Sequence, residues 1–257
     1  MDKCYINIGG YMNIDKVIKK ESDKKLFHLL YRMPEDNSLF YTDDISYIVG
    51  IYKSLSWIWT KENISLEKIK EIVKILKNKN IKEITCKNEL YITINKLLEI
   101  KNINKINFYE CTNINNKKRV GTISKITYKD KLEVAKLWQE SEIDRGNKIS
   151  INDALLDTEY FMNNDFYINK DEIGNVVSIA GFTINNSIAK ITHVYTKKDK
   201  RNQGYASYLV SYLTSNLLKN KNTCILYTES NNYNANHLYE NLGYIKKDTL
   251  IEFNISY

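Results

Sequence analysis

Two periods of hydrophobic and polar residues alternate along the chain, and they divide it into strands and helices. From Ser38 to Thr60 β-branched and aromatic residues predominate, broken at Asp43-Asp44 and Ser54, which predicts strands near 38–42, 45–53 and 55–60. Trp57 and Trp59 lie two apart and so share one face of the last strand. Beyond Ser65, a residue suited to cap a helix, Leu66, Ile69, Ile72, Val73 and Leu76 recur at helical spacing. A strand at about 81–86, a helix over 88–100 and a strand at about 105–111 complete this first succession. Upstream of it, Val17, Ile18, Leu26, Phe27, Leu29 and Leu30 suit one or two helices interrupted by the polar run 19–25, with His28 as a satisfied core histidine and 32–37 as a turn.

The lysine- and asparagine-rich stretch 112–118 has no periodicity and marks a boundary, giving an α/β region over 1–117 and a second domain over 118–257. The second domain opens with a strand over 120–127. A helix after Asp130 carries Leu132, Val134, Ala135, Leu137 and Trp138. Ser150 and Asp153 form a capping-box pattern ahead of Ala154, Leu155, Thr158, Phe161 and Met162. Strands at 166–169, 176–184 and 188–196 are separated by turns at 171–175 and Asn185-Asn186, and Gly181 inside the middle strand points to a close approach or a bulge. A helix with Tyr205, Leu209, Tyr212, Leu213 and Leu217 on one stripe follows. After it come a strand over 224–228, a helix over 232–241 and a terminal hairpin or long strand over 243–255.

Composition changes this picture little. At 257 residues with 43% hydrophobic content the chain has enough apolar surface for one large domain or two. Cys4, Cys86, Cys111 and Cys224 form no C-x-x-C pair, so neither a metal site nor a disulfide framework is expected. No apolar run of signal or membrane-spanning length occurs, and the expectation is a soluble, cytoplasmic protein without a membrane partner. The net charge of +7 comes from lysines spread over nearly every segment, which reads as a solvated surface and not as a nucleic-acid interface.

The stretch Ile191 to Ser207 carries the chemistry: a strand, a basic loop and the N-terminus of a helix in seventeen residues. Unpaired N–H groups and a positive partial charge make such a terminus able to hold a phosphate, and Gly204 lets the backbone come close to it. The spacing Arg201-Asn202-Gln203-Gly204-Tyr205-Ala206 resembles the R/Q-x-x-G-x-G/A signature of the GNAT superfamily of acyl-CoA-dependent N-acyltransferases. Downstream, Asn232, Ala235 and Tyr239 resemble that family's N-x-x-A/S-x-x-x-Y pattern, and Leu242-Gly243-Tyr244 resembles the turn that closes it.

The resemblance implies the GNAT fold, of the α/β (α+β) class, with a mixed, mostly antiparallel sheet flanked by helices. It also implies acetyl-CoA as cosubstrate without a metal, and transfer of acetyl to a primary amine, on a small molecule or a protein, by direct attack. The backbone of Val194, Tyr195 and Thr196 would meet the pantetheine arm, and Asn202 to Ser207 would offer N–H groups to the pyrophosphate. Lys197, Lys198, Lys200 and Arg201 stand beside these phosphates in sequence. Asn232 and Tyr239 match the second motif, and Tyr239 takes the place of the general acid; the alternative is a core tyrosine between Leu238 and Leu242. The base is open. His193, with an ordinary pKa near 6.5, is the first candidate and Glu229 the second. Strand alternation groups His193 with Ile191 and Tyr195, opposite Thr192 and Val194. Glu140, Glu142, Asp144 and Asp157 either hold a cationic acceptor or form solvated helix surface.

In the first region the order strand, helix, strand, helix, strand repeats that of the second half of a GNAT domain. The place of the phosphate loop, however, is taken by Thr60-Lys61-Glu62-Asn63-Ile64, without glycine. A degenerate GNAT-like half and an unrelated α/β extension both fit. An acyl-CoA-binding or regulatory module is the alternative to an enzyme, and a monomer or a homodimer is compatible with either.

Overall fold

The computed structural model describes residues 3–6, 14–32, 38–220 and 222–256. In chain order its elements are β1 (Lys3–Ile6), α1 (Ile14–Val17), α2 (Glu21–Leu26), α3 (His28–Arg32), β2 (Leu39–Thr42), β3 (Tyr47–Tyr52), β4 (Leu55–Thr60), α4 (Leu66–Asn78), β5 (Glu83–Lys87), α5 (Asn88–Ile94) and β6 (Glu99–Cys111). There follow β7 (Thr122–Lys125), α6 (Lys131–Asp144), α7 (Ile151–Met162), β8 (Phe166–Lys170), β9 (Val176–Asn185), β10 (Ile188–Thr196), α8 (Tyr205–Lys219), β11 (Thr223–Glu229), α9 (Tyr233–Asn241) and β12 (Ile245–Ser256). Most of the turn expected over 32–37 lies outside the described residues.

Two compact units emerge, and neither is a single run of sequence. One comprises Met1–Phe108, Thr228–Asn232 and Lys247–Tyr257; the other comprises Tyr109–Tyr227 and Tyr233–Lys246. The boundary read at 117/118 therefore falls inside the second unit, and the tail of the chain goes to the first. The reason lies in β12, whose Leu250 to Asn254 pair antiparallel with Lys87 to Glu83 of β5. Its Leu250, Ile251, Phe253 and Ile255 are buried, an alternation broken only at the first pair, as a strand that fills a core demands.

In the first unit β1, β2, β3 and β4 are antiparallel neighbours, and β5 joins β4 in parallel after the α4 crossover. Ser65 caps α4 by accepting from the Lys68 N–H at 3.4 Å. Its Ile69, Ile72 and Leu76 pack with Ile58, Ile84, Ile251 and Phe253. Trp57 and Trp59 do share a face: Trp57 meets the Phe27 ring edge-on at 6.5 Å, and Trp59 donates its indole N–H to the buried Asp23 at 2.8 Å. Lys87 reaches the other oxygen of Asp23 at 2.7 Å. The helix expected over 88–100 stops at Ile94, since β6 begins at Glu99 and runs for 13 residues.

In the second unit β7, β8, β9 and β10 are antiparallel neighbours and β11 joins β10 in parallel after α8. The topology of β1 to β5 is thus repeated by β7 to β11. Ala180 faces α8 and packs with Leu209, Leu213, Leu226 and Tyr239. Its neighbour Ile179 faces the other way, towards Val134, Trp138, Phe161 and Phe166. Gly181 is where Phe166 comes close: a Cβ there would lie 2.7 Å from its ring.

Because Phe253 is fully buried and contacts the Tyr91 ring at 5.3 Å, Phe253→Ala is expected to destabilise the first unit by about 3–5 kcal/mol. Urea unfolding followed by fluorescence checks this, and a loss below about 1 kcal/mol would place β12 outside that core.

Candidate functional site

The candidate site lies in the second unit, where β10 changes from a paired strand to a parted one. Its pairing with β11 runs from Ile188↔Thr223 to Lys190↔Ile225, and among the described residues it goes no further, although β10 continues to Thr196. On the other edge the register with β9 shifts between Thr192 and Tyr195, with His193 at φ 54°. A bulge of this kind inserts one residue and bends the strand. It also overturns the expected alternation. Ile191 and Val194 pack on the α8 side and Tyr195 on the α6/α7 side. His193 sits there too, with ring centroids of Trp138, Phe161 and Phe166 at 5.2, 5.7 and 5.3 Å. It has parted from Ile191 and stayed with Tyr195.

This setting alters His193 as a base. Burial among aromatic rings pushes its pKa down to about 4, helped by the positive charges of Arg145 and Lys190. Its Nδ1 lies 2.8 Å from the Thr192 hydroxyl. The imidazole is therefore neutral at pH 7 but accepts a proton weakly. Tyr239 belongs to the opposite, α8-side cluster, with its ring 6.3 Å from that of Tyr109 and 5.8 Å from that of Tyr244. Burial raises its pKa, and its hydroxyl has no hydrogen bond among the described residues. The two residues nominated from sequence as acid and base thus face opposite sides of the sheet. Asn232 and Glu229 fall in the first unit.

After β10 the chain makes a short 3-10 turn over Lys198–Lys200 and reaches α8 through Asn202 at φ 62° and Gly204 at φ 90°, ψ −4°. Gly204 occupies the left-handed region, and a Cβ there would meet Val120 Cγ2 at 3.3 Å, with nothing else within 4 Å. The Tyr208 N–H bonds the Gly204 carbonyl at 2.9 Å. The N–H groups of Tyr205, Ala206 and Ser207 precede that first bond, so helix geometry leaves them without intrahelical partners. Buried Asn169 steadies this turn by donating to the carbonyls of Val120 at 2.9 Å and Tyr205 at 3.3 Å.

The loop cations are engaged elsewhere than the sequence suggests. Lys198 Nζ and Arg201 Nη2 meet Asp144 at 2.5 and 2.8 Å. Arg201 Nε also donates to the Thr196 carbonyl at 3.1 Å, and its guanidinium lies over the Tyr195 ring at 5.2 Å. Lys200 pairs with Asp171 at 3.0 Å. Burial alone would lift the pKa of Asp171, but Lys200 and the Asn175 N–H more than offset it. Lys198, then Arg201 and the Tyr195 hydroxyl, hold Asp144 down at about 2. Two of the other acidic candidates are also engaged, Glu142 by Arg145 and Asn147 and Asp157 by the Trp138 indole. Among the described residues no group of His, Cys, Asp or Glu is arranged to hold a metal, and no helix is long and apolar enough to cross a membrane.

Gly204→Ala is expected to lose about 1–2 kcal/mol of stability, because an L-residue is strained in the left-handed region, and Gly204→Val to lose more; denaturation midpoints decide, and an unchanged midpoint for both contradicts the strain. For His193 the unfolded chain binds its proton near 6.5 and the folded chain only near 4. Between those values the unfolded state carries more protons, so this contribution to stability is complete above pH 6.5 and is lost as pH falls towards 4. Urea midpoints measured across that window should fall for the wild type and fall less for His193→Gln; equal slopes would refute the buried, neutral imidazole.

Residues 172–251 match the family of FR47-like proteins, which is GNAT-related. No curated protein matches the chain. Among solved structures, the chain is similar to a GCN5-related N-acetyltransferase from Sphaerobacter thermophilus, with a TM-score of 0.68 at 8% identity over 98% of this chain and 95% of that one. A GCN5-related N-acetyltransferase from Kribbella flavida gives a TM-score of 0.64 at 12% identity, covering 96% and 97%. A GNAT-family acetyltransferase from Colwellia psychrerythraea gives 0.62 at 13%, covering 93% and 98%. The chain has the GNAT fold, and its residues 172–251 carry the match to the FR47-like family.

Proposed function

We propose that the protein is an acyl-CoA-dependent N-acyltransferase that moves acetyl from acetyl-CoA to a primary amine by direct attack. One observation carries this reading: the end of pairing between β10 and β11 coincides with a bulge at His193 and with the opened first turn of α8. Together they leave the β11-facing edge of β10 at Val194 to Thr196 without ladder partners among the described residues, while Tyr195 and Thr196 keep their pairing with β9, and they leave the N–H groups of Tyr205 to Ser207 not consumed by the helix. That arrangement fits a pantetheine arm ending in a pyrophosphate, the first by strand-like bonding and the second at a helix N-terminus. Asn202, Gln203 and Gly204 complete the loop, with Gly204 giving close access.

A thioester supplies an activated carbonyl carbon and a sulfur leaving group. The chain's part is to orient it, to keep a proton donor at hand and to accept the amine's proton. Tyr239 is our candidate donor. Its burial keeps the phenol protonated, and its hydroxyl has no competing partner among the described residues. With a raised pKa it would donate a hydrogen bond to the sulfur and not surrender the proton outright. His193 at about 4 is a weak base, so the amine must arrive neutral or pass its proton to water. This weakness is also what favours the second reading, an acyl-CoA-binding module without turnover. The degenerate half is proposed for the first unit on similar grounds. There β3 and β4 keep register from Tyr47↔Thr60 to Tyr52↔Leu55, β4 pairs β5 as far as Ile58↔Cys86, and Ser65 takes the N–H at the start of α4.

Thiol release from acetyl-CoA, measured over a panel of small amines and amine-bearing peptides, tests the function. Turnover with any of them supports the enzyme; coenzyme binding without turnover supports the module; neither would overturn the proposal. With an acceptor in hand, Tyr239→Phe is expected to slow single-turnover transfer about 10- to 100-fold, the worth of one hydrogen bond to a charged sulfur, with coenzyme affinity nearly unchanged. Equal rates would return Tyr239 to the core.

A further inference from the structure

Asp144 is the last residue of α6. A carboxylate there faces the negative end of the helix dipole and is disfavoured unless cations offset it. It collects three donors from one short stretch: the Tyr195 hydroxyl at 2.9 Å, Arg201 Nη2 at 2.8 Å and Lys198 Nζ at 2.5 Å. These come from the end of β10 and from both ends of the turn that leads to Gly204. Arg201 is fixed further by the Thr196 carbonyl and by the Tyr195 ring. A planar guanidinium held at three points is a strut, and Asp144 is its anchor.

We propose that Asp144 is the positioning residue of the phosphate loop: it holds residues 195–204 in the shape that presents the N–H groups of α8, and Arg201 acts through that brace and not by meeting phosphate. This rests on the coenzyme reading above, but the brace itself can be tested without a coenzyme. The sign of the effect separates it from simple electrostatics. Removing a negative charge beside a phosphate site, and releasing two cations, tightens anion binding if charge alone matters. If Asp144 positions the loop, its removal weakens binding.

The experiment compares the full-length wild type with Asp144→Ala, Asp144→Asn and Asp144→Glu. Amide hydrogen exchange without ligand reads the loop, and calorimetric titration with coenzyme A reads the site. Exchange at 197–204 is expected to speed up in the alanine and asparagine variants, whose melting temperatures stay close to the wild type because the network is at the surface. Coenzyme A should bind about tenfold more weakly to both, equivalent to the loss of a charge-assisted hydrogen bond, and Asp144→Glu should recover part of the affinity. Unchanged exchange, or tighter binding by Asp144→Ala, overturns the brace. A wild type that does not bind coenzyme A overturns the proposed function instead, and the exchange data then decide the brace by themselves.

Discussion

The geometry of the second unit depends on a single inserted residue. A parallel pair such as β10 and β11 has no reason to separate while its ladder of N–H···O=C bonds can continue, because each lost bond must be replaced. The bulge at His193 supplies the reason: it bends β10 and changes which side its residues face. Residues from Val194 onwards then follow a direction set by β9 and by the helices beneath it. The aromatic group of Trp138, Phe161 and Phe166 seats the extra residue and keeps the bulge from relaxing.

A second constraint concerns charge. The loop between β10 and α8 carries four cations in five residues, and such a run repels itself unless it is offset. Asp144 and Asp171 provide the offset from two separate elements, one at the end of a helix and one in a hairpin turn. The depressed pKa of each carboxylate records this coupling from the acidic side. The result is a loop whose shape is set by side chains while its backbone stays available, which suits recognition by N–H groups better than by mobile lysines.

How much of this was legible in the sequence follows from the range of the interactions involved. The helix of 66–78, its serine cap, the capping box at Ser150 and the three central strands of each unit were read correctly because their signals are local. The turn at Gly204 was legible too, since a glycine set just ahead of an amphipathic helix marks where the backbone takes a left-handed step. What escaped was non-local. A bulge leaves no mark in the spacing of Thr192, His193 and Val194, because the inserted residue is recognised only against its partner strand. The pairing of Arg201 with Asp144 spans 57 positions, and no periodicity connects them. The early end of α5 escaped because Leu97, Leu98 and Ile100 extend its apolar pattern although they pack as a turn and strand. The domain boundary at 117/118 rested on polarity, and polarity says nothing about where a distant strand will pair.

That distant strand has a consequence for how the protein is made. The first unit's sheet needs β12, which leaves the ribosome long after β5, so its core cannot close until that strand has emerged. The edge of β5 that Leu250 will meet at Lys87 stays open through the synthesis of about 160 further residues, a separation of the kind that makes pairing slow. Domains that fold as they emerge shed this exposure early. Here the unit that begins first is the later one to be completed, and during that interval its unpaired β5 edge is open to pairing with another chain.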